Sequence, residues 1–91
     1  MKTLLIISRA HADTAFRLAA EMHLEGSEVA IMFIGRGTHH ISQTETITKL
    51  RYAKLYTIED EFDSPIEEVQ AIGYERFVEL LEESERTFSW I

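Results

Sequence analysis

Thr3-Leu4-Leu5-Ile6-Ile7, close to the start of the chain, is a continuous apolar run. Such a run is typical of a strand that is buried on both faces of a parallel sheet, and we interpret it as a strand rather than as part of a signal peptide. A second run, Val29 to Ile34, has the same character. A helical segment separates the two, so the first 34 residues predict a βαβ unit with parallel strands and a right-handed crossover.

The segment between the two runs has the spacing of an amphipathic helix from about Ala12 to Glu25. Asp13 lies near its start, where a carboxylate interacts favourably with the helix dipole, and Gly26 is a typical residue for ending it. The apolar residues that recur at helical spacing are Ala12, Ala15, Phe16, Ala19 and Met22.

The middle of the chain contains a glycine-rich segment and a second, weaker helical pattern. Gly35 to His40 is expected to be a loop. Ser42-x-x-Glu45 has the form of a capping box, which would begin a short helix through Ile47 and Leu50. Lys54 to Ile58 is a third apolar run and predicts a third strand.

The remainder predicts an acidic turn over Glu59 to Pro65, a short strand over Val69 to Ile72, a helix and a final strand near Phe88 to Ile91. The helix should run to about Glu85 and bury a stripe made of Tyr74, Phe77, Val78 and Leu81. These elements predict one α/β domain over residues 1–91, with three α/β/α layers around a mainly parallel sheet of four to five strands, flavodoxin-like in general plan.

Composition narrows the possible functions. The 91 residues contain no cysteine, which excludes disulfides and thiolate chemistry in this chain. The net charge of −7 is uneven, because residues 59–91 carry two basic residues against eleven acidic ones. We therefore expect no direct nucleic-acid binding. No apolar stretch is long enough to span a membrane, and we expect a cytoplasmic protein without a membrane partner.

Ligands of open parallel sheets bind beyond the carboxyl ends of the strands, where the strand order reverses. Three segments should lie there, namely 8–13, 35–42 and 59–63. Gly35 and Gly37 would let backbone amides approach a ligand, and Arg36 would add a cationic fork of donors. This loop is therefore a candidate site for a small anion or a nucleotide in a self-associating protein, although it lacks the third glycine of the dinucleotide fingerprint. The alternative is that the glycines only serve a tight turn, which is their more common use after a buried strand.

Ser8, His11 and Asp13 are the residue types of a hydrolytic triad, but all three lie in one short segment, so we expect Ser8 and Asp13 to satisfy the helix start instead. His39 and His40 are adjacent and do not have the spacing of a metal site, so we expect no metal and no cofactor.

Aromatic residues of the last third are candidates for either the core or a subunit interface. Trp90 is large and costly to expose, and Phe88 and Tyr74 belong to the same group. In a chain of this size a small core and a subunit interface could each use such residues, so both alternatives stay open.

The last third also resembles a known family. Ile72-Gly73-Tyr74-Glu75-Arg76-Phe77-Val78-Glu79-Leu80, followed by Ser89-Trp90, is similar to the end of the DsrH/TusB-like proteins of the DsrE superfamily. Leu50 to Phe62 resembles their third strand with its acidic turn, and Phe33 to Gly37 resembles their strand that runs into a glycine loop. The chain departs from the family at Arg36, where an acidic residue is usual, and at Gly73, where an aspartate is usual.

The resemblance implies a small α/β/α subunit of a dimer or a hetero-hexamer with sister DsrE/DsrF-like subunits. Such complexes relay sulfur as persulfide, to the wobble uridine of tRNA or within sulfur oxidation. Persulfide transfer needs a thiolate, and this chain has none, so the resemblance implies a non-catalytic supporting subunit. Arg36, His39 and His40 would then form a polar rim near a partner's active cysteine.

Overall fold

The structure is a computed structural model that describes residues 1–59 and 67–91. Its strands are β1 (Lys2–Ile7), β2 (Glu28–Phe33), β3 (Lys54–Ile58), β4 (Val69–Ile72) and β5 (Arg86–Trp90). Its α-helices are α1 (Asp13–Leu24), α2 (Thr44–Lys49) and α3 (Tyr74–Glu83), and a 3₁₀ helix covers Gly35–Ser42. Most of the acidic turn that the sequence predicts after β3 lies outside the described residues.

The five strands form one parallel sheet in the order β4-β3-β2-β1-β5. This sheet confirms the predicted α/β fold class, and its five strands are the upper limit of the four to five strands expected. The continuous apolar runs are buried because both faces of the sheet are covered near its centre. β1 lies between β2 and β5, and its Leu4, Leu5 and Ile7 are almost fully buried.

The two faces of the sheet have separate cores. On one face α1, the 3₁₀ helix and α2 pack through Ala19, Ile41 and Ile47 against alternate residues of β1, β2 and β3. On the other face α3 packs through Leu80 and Phe77. The crossover from β4 to β5 therefore runs on the face opposite to the crossovers that join β1 to β2 and β2 to β3, as expected when its direction across the sheet reverses.

The first helix begins and ends as its sequence predicts, but its start uses different groups. It ends at Leu24, and Gly26 follows with φ +94°, a conformation that favours glycine. Asp13 lies in the first turn, but the residue before the helix is Ala12 and no side chain caps it. The expectation that Ser8 and Asp13 cap this helix is wrong, because the Ser8 hydroxyl donates to the carbonyl of Trp90.

The glycine-rich segment also differs from its prediction. Gly35–Ser42 is a 3₁₀ helix rather than a loop. The proposed capping box is wrong, because Ser42 Oγ donates to the carbonyl of His39 at 2.8 Å and α2 begins after Gln43 without a side-chain cap. Ser42 thus ends one helix instead of beginning the next.

The predicted stripe of α3 is shifted around the helix. Leu80 is buried and Phe77 is half-buried, whereas Tyr74, Val78 and Leu81 are exposed. The difference arises because α3 is the one described helix on its face, so only the side that points at the sheet is covered. The outer flank keeps its apolar residues in solvent.

Candidate functional site

The strand order reverses between β1 and β5. From β1 the chain adds β2, β3 and β4 on one side, and β5 then returns to the other side of β1. The carboxyl ends of β1 and β5 therefore form the edge at which open α/β sheets place ligands. Ser8 follows β1 at this edge, and Trp90 is the last residue of β5.

Trp90 joins the end of β5 to the segment between β1 and α1. Its carbonyl accepts from the Ser8 amide at 3.0 Å and from Ser8 Oγ at 3.4 Å. Its indole Nε1 donates to the carbonyl of His11 at 3.1 Å. Trp90 is half-buried and packs against the core on the α1 face, so the structure uses it to hold this edge together. The His11 side chain is exposed.

Gly37 lies where the 3₁₀ helix crosses the end of β1. A Cβ atom at this position would lie 2.0 Å from the carbonyl oxygen of Ile7, so only glycine fits. The Gly37 amide donates to the carbonyl of Ile34 at 2.8 Å, within the turn itself. Its role here is close packing, and its amide is engaged internally rather than turned towards an anion.

His40 joins the 3₁₀ helix to the β1–α1 segment. Its side chain is 6% exposed, and Nε2 lies 2.9 Å from the carbonyl oxygen of Arg9. Since a carbonyl only accepts, Nε2 carries the proton. The ring of Phe16 meets the imidazole edge-on at 4.9 Å, and Phe33 lies 6.0 Å away. Burial lowers the pKa of His40 and keeps the ring neutral near pH 7.

The sequence-predicted residues therefore fall into two groups at this edge. Ser8, Gly37, His40 and Trp90 hold the segments together through the contacts above. Gly35, Arg36 and His39 lie on the exposed side of the 3₁₀ helix. His40 does not belong to an exposed polar rim, because its ring points into the core, whereas Arg36 and His39 do present polar side chains to solvent.

The three aromatic residues that are candidates for the core or for an interface differ in their burial. Trp90 belongs to the core by its packing, while Tyr74 is exposed on α3. Phe88 is 39% exposed on β5, which lies at the edge of the sheet. Within residues 1–59 and 67–91, β5 pairs only with β1, so its outer edge presents unpaired backbone groups.

Sequence reasoning missed a cavity of about 400 Å³ at the opposite, amino-terminal edge of the sheet. Lys2 and Lys54, which begin β1 and β3, line it together with Arg76. On one side the rings of His23 and Tyr52 stack at 4.5 Å. The carboxylates of Glu28 and Glu83 also line it, and Arg76 donates to Glu83 at 3.1 Å, so the cationic side chains outnumber the carboxylates by one. The charged residues at the first positions of the neighbouring strands β1, β2 and β3 are the signal that could have indicated it.

Searches with the sequence match no family model and no curated protein. In the part of the chain that the structure describes, no helix is long and apolar enough to cross a membrane. Across the same residues no three acidic or histidine side chains gather as metal ligands would.

We expect the buried His40 to make folding stability depend on pH. Its pKa is lowered by burial and, to a smaller extent, by His39 and His11, while the Arg9 carbonyl and Asp13 oppose the shift. The unfolded chain therefore takes up a proton near pH 6.5 before the folded chain does. The stability that the neutral ring contributes is fully present above that pH and is lost as the pH falls below it.

Urea unfolding of wild type and of His40→Gln between neutral and mildly acidic pH tests this expectation. The wild type should lose stability on acidification more steeply than His40→Gln, which itself costs about 1–2 kcal/mol at pH above 7 through lost packing. Ile41→Val, at the buried and non-titrating residue that follows His40 in the chain, is the control and should lower stability while keeping the wild-type slope. Equal slopes for wild type and His40→Gln would contradict the assignment.

Proposed function

We propose that this chain is a cysteine-free, non-catalytic subunit of a cytoplasmic sulfur-relay complex, similar to the DsrH/TusB-like proteins. One observation carries the proposal. The segment Ile72 to Leu80, on which the resemblance depends most, includes most of α3, and its Tyr74 and Val78 are exposed. The protein's own core therefore does not account for these apolar residues, and an interface with another subunit does.

The lack of cysteine defines what the subunit can contribute. In persulfide transfer an acceptor thiolate attacks the outer sulfur of a donor persulfide, the donor S–S bond breaks and the donor leaves as a thiolate; this chain has no thiolate to make that attack. The sulfur carrier is then a cysteine-bearing sister subunit. The present chain contributes to the architecture of the complex and contacts the carrier subunit. The final acceptor in such a complex would be the wobble uridine of a tRNA or a component of sulfur oxidation.

The exposed side of the 3₁₀ helix supports a role next to the partner's cysteine. Arg36 and His39 are exposed there, beyond the carboxyl ends of β1 and β2. A cationic side chain beside a thiol lowers the pKa of that thiol and raises its thiolate fraction at neutral pH. A sister subunit whose cysteine loop docks at this edge would gain reactivity from Arg36.

Co-expression with a cysteine-bearing DsrE-like sister protein tests the proposal. We expect the two chains to co-elute in size-exclusion chromatography. When the complex is treated with a persulfide-specific label, we expect the label to modify the sister protein alone. In that complex Arg36→Ala should slow alkylation of the sister's thiol several-fold, while Arg51→Ala, at an exposed arginine between α2 and β3, should not. Separate elution of the two chains, or a sulfur-loaded form of this chain, would contradict the proposal.

A further inference from the structure

The outer flank of α3 carries a stripe of exposed apolar side chains, which we call the α3 stripe. It consists of Tyr74, Val78 and Leu81, which are 62%, 50% and 38% exposed. Their spacing of i, i+4 and i+7 places them on one side of the helix. An apolar row with this spacing on a helix surface matches the ridge that packs against a second helix.

Acidic side chains border the α3 stripe on its solvent side. Glu75 is three residues before Val78 and Glu82 is four residues after it, so both are its neighbours on the helix surface, and both are exposed. Arg76, the one basic residue of α3, lies on the opposite flank. There it lines the cavity and pairs with Glu83 and Glu79. The solvent rim of the stripe on α3 is therefore purely negative.

This charge pattern indicates which kind of partner the α3 stripe binds. A second copy of the chain would bring Glu75 and Glu82 against the same carboxylates, because a two-fold interface repeats one surface on both sides. Like charges placed together oppose association, whereas opposite charges favour it and increase its rate. The occupant favoured by the surface is a helix with an apolar face and a basic rim.

We infer that the α3 stripe binds an amphipathic helix of a partner subunit, through apolar contacts at Tyr74, Val78 and Leu81 and through Lys or Arg side chains opposite Glu75 and Glu82. The inference rests on the proposed function only in that the chain works inside a complex. It names the surface and the chemistry of the partner, and it holds whichever sulfur acceptor the complex serves.

Two synthetic helical peptides test the inference on the full chain. Both carry leucines at i, i+3, i+4 and i+7, and their flanking positions are all Lys in one and all Glu in the other. We expect the Lys peptide to bind at least about tenfold more tightly than the Glu peptide, and its affinity to fall with rising salt. Val78→Ser should weaken binding of the Lys peptide about tenfold without unfolding the protein, because Val78 is half exposed.

A charge-reversal variant gives the sharpest comparison. Glu75→Lys combined with Glu82→Lys should reverse the preference, so that the Glu peptide binds better. Glu21→Lys combined with Glu25→Lys, which changes two exposed residues of α1 and its end, is the matched control and should keep the original preference. Equal binding of both peptides, or no binding of either, would overturn the inference.

Two further outcomes separate this inference from the proposed function. A chain that dimerises by sedimentation, and becomes monomeric with Val78→Ser, would show that a second copy covers the stripe, and the inference would be wrong. A complex with the sister protein that is unaffected by Val78→Ser would leave the proposed function standing and reject this surface. If the protein prefers the Lys peptide but forms no complex with the sister protein, the proposed function is rejected and the assignment of the α3 stripe as a binding surface stands.

Discussion

A Gly37→Ala variant is expected to lose about 3 kcal/mol of folding stability. The added methyl would lie 2.0 Å from the backbone oxygen of Ile7, which belongs to β1 and is held in place because β1 pairs with β2 and β5 on its two sides. The 3₁₀ helix must then lift away from β1 and strain the hydrogen bond between the Ile34 amide and the Ile7 carbonyl. Because a domain of this size is stable by roughly 5–10 kcal/mol, urea unfolding followed by circular dichroism will show a large shift of the midpoint.

Gly73→Ser is the matched control for this prediction. A Cβ at Gly73 meets nothing within 4 Å, and its φ of −83° is open to any residue. Gly73 is the N-cap of α3, where serine is at least as favourable as glycine, so this variant should be as stable as wild type or slightly more stable. A Gly37→Ala protein with wild-type stability would show that the 3₁₀ helix does not press against β1 as described.

Phe33→Ala is expected to lower the free energy of unfolding by about 3–5 kcal/mol, the largest effect expected for a single truncation in the described part of the chain. Phe33 has 0% exposure and is the largest fully buried side chain among residues 1–59 and 67–91. Its ring lies 6.4 Å from Phe16 and 6.0 Å from His40, so its removal leaves a cavity beneath the carboxyl edge. Thermal unfolding will report the loss as a fall in Tm, and the His40-dependent part of the pH profile should weaken with it.

Phe88→Ala is the control for Phe33→Ala, because it removes the same side chain from an exposed position. Phe88 lies on the edge strand with 39% of its surface exposed, so its truncation should cost under about 1 kcal/mol. Similar losses for the two variants would contradict the placement of Phe33 in the core. A stable Phe88→Ala protein would also allow its binding to a sister subunit to be measured separately from folding.

These variants separate two kinds of apolar residue. Phe33 stabilises the chain by itself, whereas the α3 stripe contributes surface that the isolated chain leaves in water. Substitutions in the stripe should therefore change association more than stability. That distinction makes the peptide experiment interpretable, because a weakened complex would not reflect an unfolded protein.

The strands could be predicted from the sequence because their signal is local. Lys54–Ile58 and Val69–Ile72 have the same bounds in the structure as in the prediction, and β1 and β2 differ from theirs by about one residue. Parallel strands that are buried on both faces need continuous apolar runs, which few other elements require. The helix α1 could also be predicted from the sequence, because its apolar spacing indicates a helix and Gly26 indicates where that helix ends.

The candidate site could be predicted only in part. The sequence placed Ser8 and the glycine-rich segment at the carboxyl edge, because parallel strands all end on the same side. It could not show that Trp90 and His40 bond to the β1–α1 segment, because those partners are 79 and 31 residues apart in the chain. It also could not show that Gly37 packs against β1, because the atom that excludes a side chain there belongs to a different part of the chain.

By itself the sequence determined the fold class, the order of the strands and helices along the chain, and the absence of thiol chemistry. Those properties follow from local hydrophobic patterns and from composition. Only the tertiary structure decided the strand order across the sheet, which polar groups are engaged at its carboxyl edge, and which side of α3 is left uncovered. The reason is physical: burial and hydrogen bonding depend on groups that meet from distant parts of the chain, and one helix can cover only part of the sheet face on which it lies.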